Sequence, residues 1–218
     1  MEGLILEQEE LARASPPRLR PTGDPAIGGC FVCFARGKTG PGEAGDPGWA
    51  GAAVVRRGRV LASAVVTGKA GAAYEPGLLA LREGPLLEAA VLELAEGPDV
   101  LLVNATGRDH PRGAGLALHL GAVLELPTVG ITHRLLVAAG DWPADEHGAT
   151  SAFHLGGKPV GYWLRTRRGT RPLAVHAAWR TDAEAAVALV GSILGTTRTP
   201  EPLRQARQSA RTARASSL

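Results

Sequence analysis

Residues 99–131 read DVLLVNATGRDHPRGAGLALHLGAVLELPTVGI, and this stretch decides the fold. Asp99–Asn104 is a short apolar run, a buried strand ending in a polar residue. Residues 113–125 carry small apolar side chains at helical spacing, which predicts a helix able to lie close on a sheet. PTVGI at 127–131 is the next strand. Strand, helix and strand in that order imply parallel pairing through a right-handed crossover.

Upstream, Leu86, Leu87, Ala90, Val91 and Leu94 fall at helical spacing, and Gly97–Pro98 stops that helix. Earlier still, Ile27–Ala35 (IGGCFVCFA) is an apolar, β-prone run. After a Gly/Pro loop over 36–48, the run GWAGAAVVRRGRVLASAVV reads as two strands turning near Arg57–Gly58. These three strands make an antiparallel meander. Residues 2–14 form a weakly amphipathic helix, with Leu4, Ile5 and Leu11 between acids, ended by prolines 16, 17 and 21.

Downstream, 140–157 is polar and Gly-rich and reads as a loop, and VGYWLRTRRGTRPLAVHAA as a hairpin turning near Arg168–Gly169. Thr181 with Glu184 reads as a capping box opening the helix TDAEAAVALVGSIL. The whole is a single α/β domain over 1–200, with 201–218 read as a basic, disordered tail. A meander continued by parallel βαβ strands, with helices on both faces, is the pattern of a ribonuclease-H-like sheet.

The chain has 218 residues, 44% hydrophobic and 21% charged, with a formal charge of +3. At this length an α/β domain buries roughly 70% of the surface its unfolded chain exposes, so disulfides are not needed. Cys30 and Cys33 share one strand, where an offset of three points to opposite faces, so they do not converge on one metal. They read as buried thiols of a reducing cytoplasm. Cys33 remains a candidate nucleophile if His110 or His133 lies close. His119 and His176 fall in apolar patterns and read as core histidines.

The N-terminal apolar stretch is too short for a secretory signal, and no run approaches the roughly 20 apolar residues of a membrane span. The expectation is therefore a cytoplasmic protein with no membrane partner. Residues 198–218 hold five arginines against the single Glu201, a bias that favours a polyanion.

Two stretches carry a family resemblance. Tyr74-Glu75-Pro76-Gly77-Leu78-Leu79-Ala80-Leu81-Arg82-Glu83 resembles the proline–tyrosine–x–proline–glycine segment of the endonuclease V family, running into phenylalanine–arginine–glutamate. Asn104-Ala105-Thr106-Gly107 and His110-Pro111-Arg112, followed by GAGLALHLG and Pro127-Thr128-Val129-Gly130-Ile131, resemble that family's aspartate–glycine–x–glycine, histidine–proline–arginine and later segments. The resemblance is specific over about 70–136 and looser from Ile27 to about Leu203.

What the resemblance implies is a ribonuclease-H-like fold and Mg²⁺-dependent cleavage of a phosphodiester near a deaminated purine, hypoxanthine, in DNA or RNA. Tyr74 and Pro76 take the places of the family's wedge beside a base pocket, and Gly77 keeps its turn. The family's first proline there is Ala73. Its three metal-binding carboxylates fall at Phe31, Glu83 and Asn104. Its lysine falls at His133, with Arg134 beside it, and its late histidine at Trp179, followed by Arg180. Only Glu83 keeps a carboxylate. Mg²⁺ wants oxygen ligands at near-octahedral geometry. Phe31 offers none, Cys33 on the same face is too soft, and Asn104 brings an oxygen without charge. No metal is therefore expected unless Mg²⁺ or Mn²⁺ serves a retained nuclease activity.

Three readings follow. In the first, cleavage is lost and a nucleic-acid or nucleotide surface is kept, with Arg82, Arg108, Arg112, His133, Arg134, Arg165, Arg167 and Arg168 as a phosphate track. In the second, the pocket around Phe31, Glu83 and Asn104 serves a neutral aromatic or nucleoside-like molecule, with Glu83 as acid or base. In the third, Glu83, Asp109 and His110 assemble a substitute metal site in a working deoxyinosine endonuclease. The plain alternative for the last two is that Asp109 caps a turn and His110 fixes loop shape.

Overall fold

The computed structural model describes residues 1–19, 23–35 and 41–217. Pro21 and residues 36–40 of the expected loop lie outside them. The described residues form one eight-stranded sheet of order β3-β2-β1-β4-β5-β8-β7-β6.

The meander is as expected: β1 (Ile27–Phe34), β2 (Pro47–Arg56) and β3 (Arg59–Lys69) pair antiparallel, with Arg57 and Gly58 both at positive φ in the turn. The helix α2 (Leu79–Leu92) then leads to β4 (Val100–Val103), α3 (Leu116–Val123) and β5 (Thr128–Thr132). β4 pairs parallel with both β1 and β5. Its unbroken apolar run has a direct cause. Leu101 and Val103 pack under α2 and α3, while Val100 and Leu102 pack on the opposite face. α3 begins at Leu116, three residues later than the helix expected from 113–125, because Gly113 takes φ +72° and Gly115 is the extended N-cap.

The second hairpin is β7 (Lys158–Leu164) with β8 (Leu173–Ala177), and β8 lies antiparallel to β5. Three expectations change. The stretch 140–157 contains a further strand, β6 (Thr150–Leu155), which joins β7 through Gly156–Gly157, both at positive φ. The capping box is absent: Asp182 is the N-cap of α4 (Ala183–Ser192) and accepts from Ala185 N at 2.7 Å. Thr181 instead donates to the Thr128 carbonyl at 2.7 Å, tying α4 to β5.

The largest change concerns the tail. Residues 201–216 are not disordered but form a helix, α5 (Glu201–Ser216). Leu203, Ala206 and Ala210 are buried along one face of it. They bed on β1 and β2 at Gly29 and Gly51, where an added Cβ would come within 2.4 Å of Pro202 or Ala206 backbone. A helix seated on bare backbone needs only alanines to fill its interface. With α1 (Glu2–Arg13), α2 and α3 on one face and α4 and α5 on the other, helices cover both sides of the sheet.

Candidate functional site

β1 and β4 are paired in parallel through Cys30 opposite Val103, so the next residues outward, Phe31 and Asn104, stand side by side. Alternation along β1 sends Cys30 beneath α2 and Phe31 beneath α5. Asn104 follows the last residue of β4, and with Thr106, Thr132, His133 and Arg134 it lines an open cleft of about 530 Å³. Thr132 pairs with Ala174, so the start of β8 shares this sheet end with the end of β5. That brings in residues the sequence reading had not placed. Arg198 hydrogen-bonds the Arg171 carbonyl at 2.8 Å, next to β8. The guanidinium carbons of Arg207 and Arg211 stand 5.1 and 5.7 Å from the Phe31 ring centre. Burial, then the charges of Arg198 and Arg207, push the His133 imidazole below its ordinary pKa.

Glu83 comes from the first turns of α2, and its charge acts on the buried Cys30 thiol, which burial and that charge both push up. Burial raises Glu83 itself to about 7, partly opposed by Arg82. Cys33 lies with Trp49 and Ala210 under α5, away from Cys30, as the strand spacing requires.

Asp109 and His110 are parts of the scaffold. Asp109 is fully buried and accepts from the amides of Leu136, Val137 and Ala138 at 2.7–2.8 Å. His110 accepts from Arg112 N at 3.2 Å through Nδ1, so its Nε2 is the donor to the Gly77 carbonyl at 3.2 Å. That carbonyl also accepts from Arg112 Nη2 at 2.7 Å and Gln8 Nε2 at 3.1 Å. Three donors thus lock Gly77, at φ +78°, and leave Tyr74 exposed on the loop it ends. Gly107 packs against Ala177 O so closely that a Cβ would stand 2.1 Å away, a purely steric demand for glycine.

The sequence reading grouped residues that the fold separates. Trp179 O accepts from Thr128 N at 2.9 Å, at the start of β5, whereas His133 follows its end. Four residues of strand, roughly 13 Å, part them. Arg180, at φ +55°, donates to Pro17 O at 3.1 Å beside Trp179. Half of the expected phosphate track is structural. Arg82 pairs with Asp46 at 2.8 Å, with side chains 5% and 4% exposed. Arg108 binds the Ala12 carbonyl at the end of α1, Arg112 binds Gln8, and Arg165 binds the Pro143, Ala144 and Thr170 carbonyls. His133, Arg134, Arg167 and Arg168 remain exposed. Of the missed residues, Arg207 and Arg211 had one legible signal, their i, i+4 spacing in an arginine-rich run.

These side chains do not fit a divalent metal. Among the described residues no three His, Cys, Asp or Glu groups come together in a way that could hold one. The position beside Asn104 presents a phenyl ring with two guanidiniums over it. A hard dication asks for the opposite sign and for oxygen ligands.

The family model for endonuclease V matches residues 26–208. An endonuclease V of Thermus thermophilus is 42% identical over 135 residues, 61% of this chain and 60% of that protein. The chain thus spans about 60% of the length of the curated relatives it matches. The crystal structure of the Streptomyces avermitilis endonuclease V superposes with a TM-score of 0.85 at 29% identity, covering 99% of this chain and 92% of that one. The Ciona intestinalis endonuclease V, solved with a 24mer DNA containing an inosine followed by a ribo-adenosine, shares the fold with a TM-score of 0.79 at 19% identity, covering 100% and 98%. The family match runs from β1 into α5 and rests on the same sheet, loops and helices described above. The chain belongs to the endonuclease V family.

Proposed function

We propose that this chain binds nucleic acid at the β4–β5 sheet end and has lost the metal-dependent cleavage of its family, acting in the cytoplasm. The observation that carries the reading is the Phe31–Asn104 pair. By the family resemblance two of its three carboxylate positions correspond to these residues, which strand register sets side by side and neither of which carries a charge. The third, Glu83, is raised by burial to about 7, which weakens it as an anionic ligand at neutral pH. Without paired carboxylates there is nothing to hold a metal against a phosphate and activate water.

What remains suits binding. Tyr74 stands exposed on a loop anchored through Gly77, as a wedge side chain must. His133 and Arg134 line the Asn104 cleft, with Arg167 and Arg168 exposed at the same sheet end. Phosphate contacts of this kind position a strand without reading its sequence, and their affinity falls with salt. The family resemblance makes a deaminated purine the base expected beside Tyr74.

The deciding experiment incubates the protein with inosine-containing single- and double-stranded DNA and RNA in Mn²⁺, reading cleavage and gel shift together. Retarded but intact strands are expected. Cleavage that Glu83→Ala abolishes would refute the proposal and restore Glu83 to a working site.

A further inference from the structure

We infer that Arg207 and Arg211 of α5 form a cationic clamp over Phe31 that takes a phosphate group directly, without a metal. The inference rests on the nucleic-acid reading for the source of that phosphate, not for its capture.

Four observations converge. The Phe31 ring holds two guanidiniums, at 5.1 and 5.7 Å, by cation–π contact, so both stay in place without a counter-ion. Among the described residues neither arginine has a carboxylate partner. Glu201, in the first turn of the same helix, is taken by Arg204 and Gln205 at 2.6 Å each. Arg207 Nε is buried with no hydrogen-bond acceptor, a donor that the folded chain leaves open. Finally, Arg207 is pushed below its ordinary pKa by burial and then by Arg211 and Arg198, which marks like charges crowded together.

Crowded, uncompensated guanidiniums are stabilised by an anion with several acceptor oxygens, and a planar fork matches phosphate with two parallel hydrogen bonds. The substitutions at Phe31 and Asn104 belong to the same design. A carboxylate at Phe31 would pair with Arg207 and Arg211 and repel phosphate. A ring and a neutral amide leave the cations free. Positive charge that a bound ion supplies elsewhere would here be built into the chain.

The test is calorimetric titration at low salt with three probes: inorganic phosphate, adenosine 5′-monophosphate, and an unmodified single-stranded DNA of about twelve nucleotides. Arg207→Gln is expected to weaken the DNA by about tenfold and to lower the salt slope by about one. Arg207→Gln with Arg211→Gln weakens it further, whereas Arg204→Gln, whose guanidinium is already paired, stays within about twofold of wild type. Loss of phosphate or monophosphate binding in the double variant assigns the clamp to free phosphate esters. Loss confined to DNA assigns it to a backbone phosphate. A wild type that binds none of the probes, or a folded double variant that binds them all as wild type does, overturns the clamp. Mn²⁺-dependent cleavage by wild type would instead sink the loss of nuclease activity and leave the arginine comparison readable.

Discussion

Gly51 of β2 lies so close beneath Ala206 of α5 that a Cβ on the glycine would stand 2.4 Å from the Ala206 carbonyl oxygen. Strand backbone and helix backbone are in contact, and that contact fixes how far Arg207 and Arg211 reach over Phe31. Gly51→Val forces the helix outward. We expect a loss on the order of 1–3 kcal/mol from overpacking, measured by urea unfolding, together with weaker oligonucleotide binding. Gly191→Ala in α4, where an added Cβ meets nothing, is the control and should be neutral or slightly stabilising.

Asp109 holds three consecutive amides of the loop after β5. Asp109→Ala removes a fully buried acceptor and leaves three loop amides without it. A loss on the order of 3 kcal/mol is expected, with hydrogen exchange at 136–138 accelerated first. Unchanged exchange at those amides would show that the carboxylate is not what orders the loop.

Glu83 gives the protein a pH dependence of defined sign. Its carboxyl is raised from 4.5 to about 7 by burial. Between those values the unfolded chain has released the proton while the folded chain still holds it, so stability falls as pH rises. Glu83→Gln removes that slope. The variant should be about as stable as wild type at pH ~4 and more stable at pH ~8, read from urea midpoints. A wild type more stable than the variant at pH ~8 would mean that Glu83 is ionised and paired in the folded state.

Tyr74 is exposed, so Tyr74→Ala should change stability by less than about 0.5 kcal/mol. The expected effect lies in recognition: inosine-containing and adenosine-containing strands bind alike in the variant, compared by gel shift.

Restoring both carboxylates tests the metal argument. Phe31→Asp with Asn104→Asp should make the melting temperature respond to Mn²⁺, since a ligand of the folded state stabilises by mass action, about 2.7 kcal/mol at a hundredfold excess over Kd. The wild type should not respond. A Mn²⁺ shift of equal size in the unaltered protein would mean that its own residues hold the ion.

Much of the fold was legible because side-chain period reports burial directly. The run DVLLVN is apolar at every position since β4 is covered on both faces, and Arg57–Gly58 supplies the turn between β2 and β3. Two elements escaped for opposite reasons. β6 carries Thr150, Ser151 and His154 among few apolar residues, so polarity masked a strand whose core contribution is the single fully buried Phe153. α5 carries its stripe on Leu203, Ala206 and Ala210 between arginines. Alanine signals burial weakly, and these alanines suffice only because Gly29 and Gly51 lie beneath them.

For the site, the residues read through the family resemblance implied that Phe31 and Asn104 stand where carboxylates are expected and that Glu83 remains. Tertiary structure decided the rest. Strand register set Phe31 beside Asn104, and the two ends of β5 parted Trp179 from His133. It also sorted the arginines. Arg82, Arg108, Arg112 and Arg165 are consumed by a carboxylate, an amide oxygen or carbonyls within the fold, while Arg207 and Arg211 rest on a ring with no acid paired to them among the described residues. A guanidinium looks the same at every position in a sequence; whether it is a strut or a binding group depends on which acceptors the folded chain brings within about 3 Å of it.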